Sequence, residues 1–284
     1  MSKDTAMGAS TRREFVASAA GAAIAVPLAA ASWNAASAAE ISGDELPLIT
    51  NGLEHLGIVV ADVTRSATFY CGVFGHGLFR EIDPPLRYYV MTGKAYIAIG
   101  SREGVAPKLD HYCVTVDGYN REKMDAAIKA LGYRALPRGV ALDPDGIGLQ
   151  LLEDPAGLTD TNIPADRILG RGYGLVQPYG MDNVVLRVSD MDRARAFYDK
   201  FFAKADARAD GEVWYEAADT VIRVAPQAAG QAPAFERYGI RVGPCDFAKV
   251  KDGIEKLGGA VEGVDGDRLY FTDPDNLKVE LVKV

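Results

Sequence analysis

The sequence predicts an α+β fold repeated in tandem. Three observations carry that prediction: a repeat at constant offset, the same order of strand-like and helix-like segments in each copy, and a turn motif recurring before each copy's last strand. The segment HLGIVVADVTRSATFY begins at His55 and NVVLRVSDMDRARAFY at Asn183. In both, an Asp follows seven residues on (Asp62, Asp190) and a Tyr fifteen on (Tyr70, Tyr198), so all three pairs share an offset of 128 residues. The turn motif appears as LDPDGIGLQLLE from Leu142 and as TDPDNLKVELVK from Thr272. Two ordered matches at this spacing mark a duplication.

Each copy reads as strand, helix, strands, and then the same again, which makes four βαβββ units in total. LGIVVAD and VVLRVSD are short β-branched runs suited to strands. Asp62 and Asp190 stand where helix N-caps are expected, ahead of helical patterns that end near Phe74 and Phe202. YYVMTGKAYIAIG predicts a hairpin turning at Thr92-Gly93-Lys94. HYCVTV and RYGIRV open the second halves and lead into amphipathic helices, REKMDAAIKALG and FAKVKDGIEKLGG, closed by Gly132 and Gly258. The Asp-Pro-Asp turns then launch the final strands. This places a first module over residues 52–156, a Gly/Pro-rich linker over 157–180 and a second module over 181–284, after a lead-in over 39–51.

With 284 residues, 48% of them hydrophobic, the chain is long enough for two domains that each bury a core. A net charge of −8 removes electrostatic support for nucleic-acid binding. Three widely spaced cysteines do not make a disulfide framework. Residues 1–38 read as an address and not as fold. Ser10-Thr11-Arg12-Arg13-Glu14-Phe15-Val16 matches the twin-arginine pattern, Ala17 to Ala31 is a weakly apolar run, and Ala36-Ser37-Ala38 is an A-x-A cleavage signal. The expectation is recognition by the twin-arginine (Tat) export machinery, cleavage after Ala38, and a periplasmic or secreted protein. Pro27 and the many small residues make a poor membrane span, so no stable membrane insertion is expected after processing.

Units that open H-x-x-x-x-V-x-D before a helix ending in F-Y, and that close with D-P-D-G or D-P-D-N four residues ahead of Gln150-Leu151 or Glu280-Leu281, resemble the vicinal oxygen chelate (VOC) superfamily. That superfamily includes glyoxalase I, extradiol ring-cleaving dioxygenases and bleomycin-type drug-binding resistance proteins. The resemblance implies two cupped mixed-sheet modules, each able to hold a divalent metal on ligands from the first and last strands of its units. Fe(II) or Mn(II) is the favoured ion, with Zn or Ni as alternatives. Carried over by position, the first module offers His55, Ala98, His111 and Gln150, and the second Asn183, Arg223, Arg237 and Glu280. The expected metal ligands are therefore His55, His111 and Gln150, with a degenerate site in the second module.

Two of the chain's three histidines fall on ligand positions, whereas His76, between Gly75 and Gly77, reads as structural. Gln150 departs from the two-His-one-carboxylate pattern, so the protein itself brings no negative charge to the ion. Glu153 is an odd number of residues further on and should point away. Tyr89 and Tyr88 are the acid/base candidates; Met91 and Cys113 are candidate pocket residues, and Arg80 and Arg87 candidate holders of a substrate carboxylate. Arg223, Arg237 and Glu280 suggest a buried salt-bridge network bracing the second module.

The expected function is an exported metal-dependent enzyme acting on a small oxygenated substrate of catechol or enediol type, as a dioxygenase or as a lyase or isomerase. The alternatives are a metal-free protein that sequesters a small molecule in the same cup, and a metal-free catalyst using a histidine as general base. Members of the family often form homodimers, although two modules in one chain allow the pairing to be internal.

Overall fold

A computed structural model describes residues 46–75, 77–81, 85–153, 162–163 and 174–284. The expected export signal, most of the lead-in, His76 and most of the expected linker lie outside these residues. The chain from Glu40 to Val284 forms one compact unit. The first module contains β1 (Thr50–Val59), α1 (Val63–Phe74), β2 (Leu78–Glu81), β3 (Arg87–Met91), β4 (Tyr96–Gly100), β5 (Lys108–Val116), α2 (Arg121–Ala130), β6 (Arg134–Leu136), β7 (Val140–Leu142) and β8 (Gly148–Glu153). After the short β9 (Asn162–Ile163), the second module repeats the order. It contains β10 (Pro178–Val188), α3 (Met191–Phe201), β11 (Ala205–Ala207), β12 (Val213–Ala217), β13 (Thr220–Pro226), β14 (Ala234–Val242), α4 (Phe247–Lys256), β15 (Ala260–Asp265), β16 (Arg268–Thr272) and β17 (Lys278–Lys283).

The strands run β6-β7-β8-β5-β1-β4-β3-β2-β9 in one mixed sheet and β11-β12-β13-β10-β14-β17-β16-β15 in the other. Within each module the first strands of the two units, β1 with β5 and β10 with β14, pair antiparallel at the sheet centre. Each also pairs in parallel with its own unit's last strand, β4, β8, β13 or β17. The architecture is the α+β tandem of βαβββ units expected from the sequence.

The helices start where their caps dictate. Asp62 accepts hydrogen bonds from the backbone N–H of Thr64 and Arg65, and Asp190 does the same for Asp192 and Arg193. Each cap contributes about 1 kcal/mol. The inner helix faces join strand residues of both modules in one continuous core that includes Phe69, Tyr70, Phe74, Tyr112, Phe197, Tyr198, Tyr238 and Phe271.

The motifs recurring in both copies turn out to lock the modules together. Tyr70 of α1 donates its hydroxyl to Asp273 of the second module's turn at 2.8 Å. Tyr198 of α3 donates in the reciprocal sense to Asp143 of the first module's turn at 3.0 Å. The other oxygen of each Asp caps its own turn, Asp143 accepting from Asp145 and Ile147 and Asp273 from Asp275 and Leu277. Ser66 and Arg65 reach Asp275, and Ser189 reaches Asp145, so the contact is two-fold in its parts. Burial raises the pKa of both Asp143 and Asp273.

A candidate metal centre in the first module

The site is best built as a grid. Strand register sets Tyr96, His55, Cys113 and Gln150 in one row across β4, β1, β5 and β8. It sets Ala98, Gly57, His111 and Gly148 in the neighbouring row. Residues opposite one another, or two apart along a strand, share a face. The larger groups therefore fill the first row, and His111 stands in the second between two glycines. Its ring needs that space: a Cβ on Gly57 would lie 2.1 Å from His111 Cε1.

Three donor atoms converge across the two rows. His55 Nε2 lies 3.4 Å from His111 Nε2 and 3.1 Å from Gln150 Oε1. Each side chain is aimed by its other end. Gln150 Nε2 donates to the Arg138 carbonyl at 3.0 Å, which turns Oε1 toward the imidazoles. A carboxylate could not make that bond. His55 Nδ1 is held by the Glu54 carboxylate, and His111 Nδ1 faces Asp110 Oδ2 at 3.2 Å. In the tautomer that donates Nδ1–H to the adjacent acid, a ring turns its Nε2 lone pair toward the other ring and Oε1. Three lone pairs this close repel unless a cation lies among them. Burial lowers the pKa of His55, against the opposing effect of Glu54. The donor set and its geometry thus fit a divalent metal ion.

The two supporting acids arise from irregularities in strand pairing. Leu53 pairs with Val114 and His55 with Cys113, which leaves Glu54 as an extra residue in β1. Gly57 pairs with His111 and Ile58 with Leu109, which leaves Asp110 extra in β5. A β-bulge of this kind interrupts alternation and lets consecutive side chains reach the same region. Asp110 is held well below the usual carboxylate range by His111 and Lys108, which outweigh its burial. Alternation assigns Glu54 and Asp110 to the wrong face, so the sequence expectation misses them. The signal that could have found them is an acid immediately before each histidine.

Among the other expected site residues, Tyr89 pairs with Ala98 and so belongs to the second row. Its hydroxyl donates to Glu81 at 2.7 Å, and its pKa is pushed up to about 12 by burial and by that acid. It is accordingly a proton donor, and not a base, near neutrality. Tyr88 faces the other way: it is buried, with its hydroxyl 3.4 Å from Thr64 Oγ1 on α1. The structure brings it to the core and not to the imidazoles. Arg87 is engaged by Glu81. Tyr96, which the sequence reading did not single out, stacks on His55 with ring centroids 4.6 Å apart and packs edge-on to Tyr89 at 5.9 Å. Its pKa is raised by burial and then by Glu54. Glu153 lies exposed at the end of β8.

The second module fills the same grid differently. Val221, Asn183, Gly239 and Glu280 form its first row, and Arg223, Val185, Arg237 and Lys278 its second. The same bulges recur at Asp182 and Glu236. Arg223 pairs with Glu212, Arg237 with Glu262, Lys278 with Glu236 and Glu280 with Arg268. Arg223, Arg237 and Glu280 therefore do not form the mutual network expected from sequence; each has its own partner. Three cationic side chains in one row repel a divalent ion.

The duplicated βαβββ fold is the one that the resemblance to the vicinal-oxygen-chelate class implied. The family described as the Glyoxalase/Bleomycin resistance protein/Dioxygenase superfamily matches residues 52–159, so the chain carries a domain of that superfamily spanning its first module. Among solved structures, the 2,3-dioxygenase LapB from Pseudomonas sp. KL28 superimposes with a TM-score of 0.61 at 15% identity, covering 83% of this chain and 92% of that one. The Mn(II)-bound glyoxalase from Novosphingobium aromaticivorans gives 0.62 at 16% identity over 84% and 83%. A catechol 2,3-dioxygenase gives 0.63 at 15% identity over 84% and 89%. These likenesses show the fold. No curated protein is similar enough in sequence to be matched to the chain.

Proposed function

We propose that the protein is a metal-dependent enzyme of the vicinal-oxygen-chelate type, acting on a small substrate with two adjacent oxygens such as a catechol or an enediol. The carrying observation is the convergence of His55 Nε2, His111 Nε2 and Gln150 Oε1, each side chain being aimed by its other end. His55 and His111 would hold a divalent ion through Nε2 and Gln150 through Oε1, Fe(II) and Mn(II) being the ions favoured for ring cleavage with O₂. Bound there, such an ion supplies Lewis acidity that stabilises negative charge on substrate oxygens.

The chain's own residues do the rest. Glu54 and Asp110 fix the ring orientations and raise the basicity of the imidazoles, which offsets the neutral amide. Gly57, Ala98 and Gly148 keep the second row free of bulk beside the ligands. Tyr96 stacks on His55 and limits the ring's rotation. Tyr89, protonated near neutrality, is a hydroxyl on this face that would donate a hydrogen bond to a substrate oxygen on leaving Glu81.

The test is metal content of protein matured through its own export route, followed by oxygen uptake with catecholic substrates. Under about 0.1 equivalents of any transition metal would discard the reading. The neutrality of Gln150 favours one competitor, a metal-free protein that sequesters the same kind of molecule. Tight ligand binding unchanged by chelator and by His111→Ala would establish that competitor.

Export is part of the same proposal, supported by the twin-arginine pattern at Ser10–Val16 and the A-x-A signal at Ala36–Ala38. N-terminal sequencing of the periplasmic fraction should begin at Ala39, and a chain retained unprocessed in the cytoplasm would contradict it.

A further inference from the structure

We infer that Arg138 is a positioning residue for the site, holding Gln150 through its backbone carbonyl and not through its guanidinium. Its bearing on metal rests on the reading given above. The device is a hairpin of reduced length. β6 and β7 have three residues each, whereas their counterparts β15 and β16 have six and five. In the second module the hairpin therefore runs past the ligand row: Tyr270 stands opposite Glu280, and the turn comes beyond the Arg268–Val282 pair. In the first module Val140 stands opposite Gln150, and the turn Pro137-Arg138-Gly139 abuts that pair. The turn's carbonyls are thus delivered to β8 at the level of the amide.

Two consecutive carbonyls are used. Gly139 accepts from the Leu151 N–H at 2.8 Å, and Arg138 accepts from Gln150 Nε2 at 3.0 Å. A carbonyl only accepts, so the amide end facing Arg138 is its NH2, and Oε1 is left facing His55 Nε2 at 3.1 Å. A flipped amide would set two acceptors against each other. Both turn residues reach this geometry in the left-handed region, Arg138 at φ 68° and Gly139 at φ 74°. Glycine suits position 139, where a Cβ would lie 2.5 Å from the Leu151 carbonyl oxygen. Arg138 holds a conformation that L residues rarely adopt, while its side chain is exposed. Such strain persists where the surroundings impose it, here the two bonds to β8. In the second module the turn carries Gly266 at φ 55°, and the Asp267 carbonyl accepts from the Lys283 N–H at 2.8 Å. Glu280 is held there by the Arg268 side chain instead.

The first test needs no metal. In isotope-labelled full-length protein, the side-chain amide protons of Gln150 are identified by their loss in Gln150→Glu. One of them should exchange with solvent at least about tenfold more slowly than those of the exposed Gln231. Exchange at the exposed rate would overturn the inference. Co(II) affinity is then compared in two variants. Arg138→Ile, whose β-branched side chain resists positive φ, should displace the carbonyl and weaken Co(II) binding about 10–100-fold with every donor side chain in place. Arg138→Gly keeps the carbonyl and adopts this φ freely, so it should rescue binding to within about twofold of the unmutated protein. Equal losses in both would assign the effect to the guanidinium, and full affinity in both would make the carbonyl dispensable; either result overturns the inference. Failure of the unmutated protein to bind Co(II) would overturn the metal reading, and amide exchange would still decide how Gln150 is held. Amide exchange in the unmutated protein also decides if Arg138→Ile fails to fold.

Discussion

The two cups are built from corresponding strands, in the same order, with the same bulges, and they differ at the grid positions where the proposed ligands stand. His55, Cys113, Gln150 and His111 in one correspond by register to Asn183, Gly239, Glu280 and Arg237 in the other. The residues that recur, Asp62 and Asp190, Tyr70 and Tyr198, Asp143 and Asp273, cap helices and join the modules. The contrast separates two kinds of information in the chain. Recurrence marks what the fold requires, and divergence within the grid marks what one cup does and the other does not.

The sharpest way to break this contrast is to remove corresponding side chains. His111→Ala should lower metal affinity by about a hundredfold or more, because a ligand and its aimed lone pair are lost together. Arg237→Ala should leave metal stoichiometry and affinity unchanged. Isothermal titration of both variants decides the matter, and equal losses would mean that the cups are not functionally distinct. Next in size is Gly57→Ala, where a Cβ 2.1 Å from the ring forces His111 aside. An affinity loss of about 10–100-fold is expected with little change in Tm. Retained affinity would show that the ring's seat over Gly57 is not needed.

The shared features should behave alike in both halves. Tyr70→Phe and Tyr198→Phe each leave a buried Asp oxygen without its donor and should cost about 1–3 kcal/mol in denaturant unfolding. A large inequality between them would refute the two-fold description of the contact. The smallest effect is on pH dependence. Burial raises the folded-state pKa of Asp143 above its unfolded value, so its contribution to stability is full below the unfolded pKa and declines as pH rises through the folded one. Asp143→Asn should flatten that decline above the unfolded pKa, while the limb set by carboxylates of lowered pKa stays in place. An unchanged profile would mean that the carboxyl's pKa is not raised by its surroundings.

Much of this was legible in the amino-acid order. Register follows from β-branched runs and repeat offset, and the histidines stood out because they were few and matched in position. What was not legible came from interruptions of regularity and from contacts between copies. Glu54 and Asp110 reach their histidines through bulges, which a period of two cannot anticipate. Tyr88 and Tyr89 are neighbours in sequence, and only the sheet's pleat decides that Tyr89 shares the cup face while Tyr88 packs against α1. Tyr96 was passed over because nothing local distinguishes a tyrosine that stacks on an imidazole from one that packs in a strand. The reciprocal Tyr–Asp bonds join residues some 200 and 55 positions apart, beyond any local pattern. Arg223, Arg237 and Glu280 share a face as expected, yet each is engaged by its own partner, Glu212, Glu262 and Arg268, instead of by one another.

The extra residue at position 54 makes the cup sensitive to chain length as well as to composition. Removing Glu54 would restore plain alternation with Leu53 and His55 on the faces they already hold, and would take away the acid that aims the imidazole, whereas pairing Glu54 regularly would swing His55 to the far side of the sheet. Anyone transplanting this chemistry onto another scaffold of the same topology would have to carry over the irregular spacing along with the side chains. A graft copied by identity alone would present its imidazole to the core.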